Sequence, residues 1–135
     1  MQLVPVASGE TPPFDQKISA QEAAAMARAV VNLFDRWGLT DAQARTLLGE
    51  VSAATYNRWK KGSLPRLSVD LCTRLSILMG IHKALRILFS DNARAYRWVM
   101  APNQAFGGKT ALDIMLGGTM TDLMRVRHYL DAQRG

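Results

Sequence analysis

The chain has 135 residues, 48% of them hydrophobic, and 17 Lys and Arg against 11 Asp and Glu give it a net charge of +6. The length accommodates one domain or two very small ones, and this composition excludes an intrinsically disordered chain. A lone cysteine, Cys72, excludes an intramolecular disulfide framework and favours a reducing compartment. The sequence shows neither a bilayer-length apolar run nor an export signal, so we expect a cytoplasmic protein with no membrane partner.

The first 18 residues contain three prolines and a glycine, and we predict a flexible arm there. A helix is predicted to begin after Ser19, because Ser19 and Glu22 have the spacing of a capping box. Apolar residues with helical spacing follow, and Gly38 is predicted to close this helix.

The next segment predicts two short helices joined by a glycine turn. Thr40 is a suitable N-cap for the first helix, and Ser52 is one for the second. In the second helix Tyr56 and Trp59 are three residues apart and are predicted to face inward, while polar residues occupy the rest of its surface. A packed helix that supports a second helix with an exposed polar side is typical of a helix-turn-helix, which enters the major groove of DNA.

Charge favours the same interpretation. No acidic residue lies between Val51 and Val69, whereas four basic residues do. Such a patch attracts phosphates, although a solvated basic helix end beside the C-terminal dipole is the alternative. The predicted DNA contacts are Ser52, Asn57 and Arg58 near bases, and Lys60, Lys61 and Arg66 at phosphates.

The following helical region is predicted to begin at Ser68 and to carry an apolar stripe from Leu75 to Phe89. Gly80 is predicted to break or bend it. The stripe is a candidate self-association surface, and packing between the two halves of the chain is the alternative. A shorter helix is predicted over residues 93–100.

Two glycine pairs divide the remaining sequence into short segments. Gly107 and Gly108 permit a tight turn, and Thr110 is predicted to cap a brief helix. A second glycine pair then precedes a final amphipathic helix. Since no segment shows the alternation typical of strands, we predict an all-α fold.

Three groups of residues, in this order, resemble the Xre/MbcA/ParS antitoxin family. They are TYNRWKKG at 55–62, KALRILF at 83–89, and PN-x-x-F-GG-x-T with the following LDIM and GG at 102–118. The resemblance extends over about residues 19–134. It implies a helix-turn-helix domain followed by a small helical toxin-binding domain, which we assign to residues 19–78 and 79–135, with the arm at 1–18.

The resemblance also implies the function of a type II antitoxin. Such a protein blocks the active site of a partner toxin, here a RES-domain toxin that degrades NAD+, and represses its own operon by binding double-stranded operator DNA. It is not an enzyme and needs no cofactor. We expect a homodimer or a higher toxin–antitoxin complex, because one small helix-turn-helix covers a short half-site. The alternative is a protein-interaction module in which the helix-turn-helix is only structural.

The toxin-contact positions implied by the resemblance are Pro102, Asn103, Phe106, Gly107, Gly108 and the final helix. In that helix, side chains that could form an apolar anchor or pair with acidic groups are Met120, Leu123, Met124, Arg125, Arg127, Tyr129 and Arg134. Leu123, Val126 and Leu130 also have the spacing of residues that pack within their own domain, so that alternative stays open.

Two other patterns are set aside. The run GGKT at 107–110 lacks the earlier glycine of a phosphate-binding loop, because Asn103 occupies that position. His82 and His128 have no cysteine or carboxylate at metal-ligand spacing, and we expect them on a helix surface or half-buried. We therefore predict no catalytic, cofactor or metal site.

Overall fold

The computed structural model describes residues 19–63 and 67–135, so the predicted N-terminal arm lies outside the described residues. Within them no strand forms, and the all-α prediction is confirmed. The helices are α1 Ala20–Trp37, α2 Asp41–Leu47, α3 Ala53–Lys60, α4 Val69–Leu88, α5 Asn92–Met100, α6 Ala111–Met115 and α7 Met120–Gln133, with one turn of 3-10 helix at Gln104–Phe106.

The predicted caps set the helix boundaries. The side chains of Ser19, Thr40 and Thr110 each accept a hydrogen bond from the backbone amide three residues on, and each forms a complete capping box. Ser52 accepts from the amide of Thr55 in the same way. Gly38 ends α1 in the left-handed conformation at φ +74°, where a side chain would be strained. Local sequence therefore determines where these helices begin and where α1 ends.

Helix α4 organises the tertiary structure. It packs against α1, α5 and α7, and its inward face is buried, including Leu75, Leu78 and Ile81 at no measurable exposure. The stripe proposed for self-association is thus largely covered by the chain's own helices, as the alternative predicted. One hydrophobic core draws residues from α1 to α7, and the predicted boundary between residues 78 and 79 falls inside α4.

The predicted break at Gly80 is wrong, because α4 continues through it. A Cβ on Gly80 would collide with the guanidinium of Arg127 from α7. The glycine therefore permits close approach of α7, and the backbone hydrogen bonds of α4 keep it helical. None of the described helices combines the length and apolarity needed to cross a membrane.

Candidate functional site

Helix α3 is held by its inward aromatic residues. Tyr56 and Trp59 are 3% and 1% exposed, which confirms that both face the core, and α3 packs on α1 and α2. On the rim, Lys60 Nζ lies 2.7 Å from a carboxylate oxygen of Asp41, the first residue of α2. Apolar packing and an exposed ion pair therefore join the two helices of the motif.

Burial, followed by the negative charges of Asp41 and Asp35, raises the pKa of Tyr56 to about 12. The phenol therefore remains protonated at neutral pH. The Lys60 ammonium lies 5.7 Å from the centre of this neutral ring. The sequence predicts that Lys60 contacts a DNA phosphate. In the structure its ammonium also contacts Asp41 and the Tyr56 ring, both within the helix-turn-helix.

The outward side of α3 carries a short hydrogen-bond network centred on Thr55. Ser52 Oγ donates to Thr55 Oγ1 at 2.9 Å, and Arg58 Nη2 donates to the same oxygen at 3.2 Å. The network orients the Arg58 guanidinium along the exposed face of α3. Thr55 was not predicted as a site residue, although its spacing of three from both Ser52 and Arg58 places all three on one face.

The remaining predicted DNA contacts differ in their surroundings. Asn57 and Lys61 are exposed, and their side chains form no hydrogen bond or ion pair within the described part of the chain. Arg66 lies outside the described residues. Ala53 and Ala54 are exposed at the start of α3, where small side chains allow the close approach to bases that a recognition helix makes with its first turn.

The turn before α3 contains two consecutive left-handed residues, Gly49 at φ +84° and Glu50 at φ +68°. Arg45 Nε donates to the carbonyl of Val51 at 2.8 Å and ties this turn to α2. Glu50 adopts a conformation that is costly for a residue with a Cβ. The two left-handed residues and the Arg45 hydrogen bond together set the direction in which α3 leaves the turn.

A second group of predicted positions forms a closed loop after α5. Pro102 pairs with Thr110 in an isolated antiparallel bridge, and Asn103 donates its amide to the Lys109 carbonyl at 3.0 Å. Gly107 and Gly108 both have positive φ, which the turn requires. Pro102, Gly107 and Gly108 are exposed at the tip, whereas the side chain of Asn103 caps the 3-10 turn.

Aromatic side chains join this loop to α7. Phe106 is 4% exposed, and its ring meets Tyr129 edge-on at 5.2 Å between centroids. Trp98 of α5, which was not predicted, stacks on Tyr129 at 6.1 Å and meets Phe106 edge-on at 6.2 Å. Phe106 therefore supports the surface from beneath rather than projecting from it. Over its ring, at 5.6 Å, lies the guanidinium of Arg125.

The faces of α7 differ in how far their side chains are exposed. Leu123, Val126 and Leu130 are at most 1% exposed, so the alternative that they pack in the core is confirmed and Leu123 is not available as an anchor. The partly exposed apolar side chains are Met120, Met124 and Tyr129. Arg125 is exposed, whereas Arg127 and Arg134 both pair with Asp131, at 3.4 and 3.5 Å.

Arg74 connects the helix-turn-helix with the C-terminal surface that the loop after α5 and α7 form. Its side chain is buried, and Nη1 donates to the carbonyl of Leu47 at the end of α2 and to that of Gly118 before α7, at 3.3 and 3.0 Å. Nε lies 3.3 Å from Asp70. A single guanidinium thus links the turn that leads to α3 with the turn that leads to α7. Sequence patterns missed it, because nothing local distinguishes Arg74 from a solvated helix arginine.

Comparison with known proteins assigns the same two regions. Residues 16–80 match the family model of the antitoxin Xre-like helix-turn-helix domain, and residues 84–135 match that of the antitoxin Xre/MbcA/ParS C-terminal toxin-binding domain. The chain is also 47% identical over 109 residues to the uncharacterized protein y4oB of Sinorhizobium fredii (strain NBRC 101917 / NGR234), a match covering 79% of this chain and 82% of that one. The chain belongs to the Xre/MbcA/ParS-type antitoxin family, with a helix-turn-helix domain followed by a toxin-binding domain.

Proposed function

We propose that this antitoxin neutralises a RES-domain toxin, an enzyme that degrades NAD+, and represses its own operon by binding double-stranded operator DNA. The observation that carries the proposal is the order of the two matched domains, helix-turn-helix at 16–80 and toxin-binding at 84–135, in one chain. The protein acts in the cytoplasm, where both DNA and NAD+ are found. It catalyses no reaction itself.

For the DNA half, support comes from the exposed face of α3. Asn57 and Arg58 project from a helix whose opposite face is buried, and the exposed Lys61 follows its last residue, so all three can approach a groove without disturbing the core. Arg58 suits guanine edges and Asn57 suits adenine, while Lys61 contacts phosphate. A homodimer would present two such helices to paired half-sites.

For the toxin half, support comes from the surface that the Pro102–Thr110 loop and α7 form together. Met120 and Met124 are adaptable apolar side chains, and Arg125 is a cation held over an aromatic ring. Apolar anchors exclude water from a pocket, and arginines pair with acidic groups there. We propose that this surface covers the entrance to the toxin's active site.

The DNA half is tested with Asn57→Ala/Arg58→Ala, which removes two exposed side chains and leaves the buried face of α3 unchanged. We expect its affinity for the operon's promoter DNA to fall at least about tenfold, because each base contact contributes on the order of 1–3 kcal/mol. Electrophoretic mobility shift at fixed salt measures this, with Arg28→Ala on α1 as the control. Toxin neutralisation should be unaffected.

The toxin half is tested with Met124→Glu/Arg125→Glu in cells that coexpress the neighbouring toxin gene. We expect growth rescue to be lost while promoter binding persists. The purified antitoxin alone should leave NAD+ unchanged. Rescue by this variant at wild-type levels would contradict the assigned surface.

The alternative is an interaction module whose helix-turn-helix only supports the fold. The ion pair between Lys60 and Asp41 and the bonds among Ser52, Thr55 and Arg58 favour it, because they engage polar groups internally. Equal promoter affinity in the parent and in Asn57→Ala/Arg58→Ala would exclude the repressor role of α3, and no promoter binding by the parent would establish this alternative.

A further inference from the structure

A face formed by α1, α4 and α5 carries three adjoining depressions that the proposed DNA and toxin surfaces do not use. The middle one, about 370 Å³, lies between the three helices. It shares Met79, His82 and Arg86 with a depression of about 510 Å³ along α4. It shares Arg36 and Tyr96 with another, of about 520 Å³, beside α5. We call this continuous surface the α1/α4/α5 face.

Exposed apolar side chains lie in both outer depressions. Ile87 is 54% exposed and Met100 is 40% exposed, and they are two of the three most exposed large hydrophobic residues in the described part of the chain. The two side chains are set among charged and aromatic neighbours. Arg, Tyr, Trp and Met, which line these depressions, are the residues enriched in protein–protein interfaces, so the face has the composition of a docking surface.

The charge of this face is uniformly positive. Its depressions are lined by Arg36, Lys83, Arg86, Arg97 and the imidazole of His82, and no carboxylate lines them. None of these four permanent cations forms an ion pair within residues 19–63 and 67–135. Partial burial, with the nearby charges of Arg86 and Arg36, lowers the pKa of His82, so its imidazole is largely uncharged at neutral pH and the four permanent cations set the charge of the face. The face therefore suits an acidic partner.

Within residues 19–63 and 67–135, a second copy of this chain has few unengaged carboxylates to offer this face. Of the nine acidic residues described, seven are already engaged as helix caps or in ion pairs: Glu22, Asp41, Asp70, Asp91, Asp113, Asp122 and Asp131. Among the described residues only Asp35 and Glu50 remain, and a symmetric dimer built on this face would set the same cations of both copies against each other. A nucleic acid supplies charge, but its phosphates give Ile87 and Met100 nothing apolar to contact.

We propose that the α1/α4/α5 face is a second docking surface for the toxin, which receives an acidic region of the toxin with an apolar ridge. The inference rests on the proposed function, because the toxin is the partner that this function supplies. Residues 84–135, the matched toxin-binding region, contribute Arg86, Ile87, Arg97 and Met100 to the face. The toxin therefore contacts two sides of the antitoxin, and the cations of this face speed their association.

The test uses the purified full-length antitoxin and the toxin encoded beside it, with Kd measured by calorimetry at low and at moderate salt. The face is changed in two ways, as Arg86→Glu/Arg97→Glu and as Ile87→Ser/Met100→Ser. The matched control is Arg28→Glu/Arg94→Glu, which makes the same change in net charge at two exposed residues that line none of the depressions.

Both face variants should weaken toxin binding at least about tenfold, as interface residues of this kind do, while the control changes Kd less than about threefold. The charge-reversal variant should also show a shallower dependence of Kd on salt. Circular dichroism establishes that each variant is folded.

The outcomes distinguish failure of the second docking surface from failure of the proposed antitoxin function. If Met124→Glu/Arg125→Glu weakens toxin binding but both face variants bind like wild type, the second docking surface is refuted and the proposed function stands. If the face variants lose promoter DNA rather than toxin, the face binds nucleic acid and the inference is overturned. If the wild-type antitoxin does not bind the toxin, both fail.

Discussion

Arg74 is the only charged residue that the described part of the chain buries, at 8% exposure. Its guanidinium satisfies the carbonyls of Leu47 and Gly118, which lie on opposite sides of α4 in sequence. Leu47 is the last residue of α2, whose terminal carbonyls have no intrahelical partner, so Arg74 also complements the C-terminal end of that helix. Its partner Asp70 is exposed, and that ion pair adds little stability.

We expect Arg74→Met to lower the free energy of unfolding by about 2 kcal/mol, because the substitution leaves two carbonyls without their donor. Urea denaturation followed by circular dichroism measures this. Arg28→Met, on the exposed surface of α1, should change stability by less than roughly 0.5 kcal/mol. Equal effects of the two substitutions would show that the Arg74 hydrogen bonds contribute no net stability.

At the scale of helices, the contact of α4 with α7 explains the glycine inside α4. Glycine in a helix interior costs roughly 1 kcal/mol relative to alanine. At position 80 it leaves room for the Arg127 guanidinium, which pairs with Asp131 on its own helix. The close packing of α7 against α4 therefore compensates for the lower helix propensity of glycine at position 80.

A double-mutant cycle at Gly80 and Arg127 measures this exchange. In wild type, Gly80→Ala must displace the Arg127 guanidinium, so its gain in helix propensity should be largely cancelled. In an Arg127→Ala background the same change should stabilise the protein by about 0.5–1 kcal/mol. Thermal and urea denaturation of the four proteins provide the data. Additive effects would contradict the steric explanation for Gly80.

At the scale of the whole molecule, one core serves both functional halves. Buried residues of α1, α2 and α3 belong to the same cluster as those of α5, α6 and α7, and α4 runs through both. The division at residues 78 and 79 remains a prediction about function, and in the fold it lies within a helix.

We therefore expect the chain to unfold in a single cooperative transition. Trp37 and Trp59 report on the N-terminal half and Trp98 on the C-terminal half, so tryptophan fluorescence should coincide with far-ultraviolet circular dichroism during denaturation. A Trp98→Phe variant restricts the fluorescence to the N-terminal half and should give the same midpoint. Two separated midpoints would show that the halves fold independently.

Local sequence determined the elements of this protein: capping residues such as Ser19 and Thr40 set helix starts, and the spacing of Tyr56 and Trp59 set the buried side of α3. These signals involve residues three or four apart, and sequence displays them directly. Only the tertiary structure decided that Gly80 stays helical, that Phe106 is buried under Arg125, and that Arg74 joins the turns before α3 and α7. Each of these depends on residues distant in the chain, whose proximity is set when the helices pack around α4.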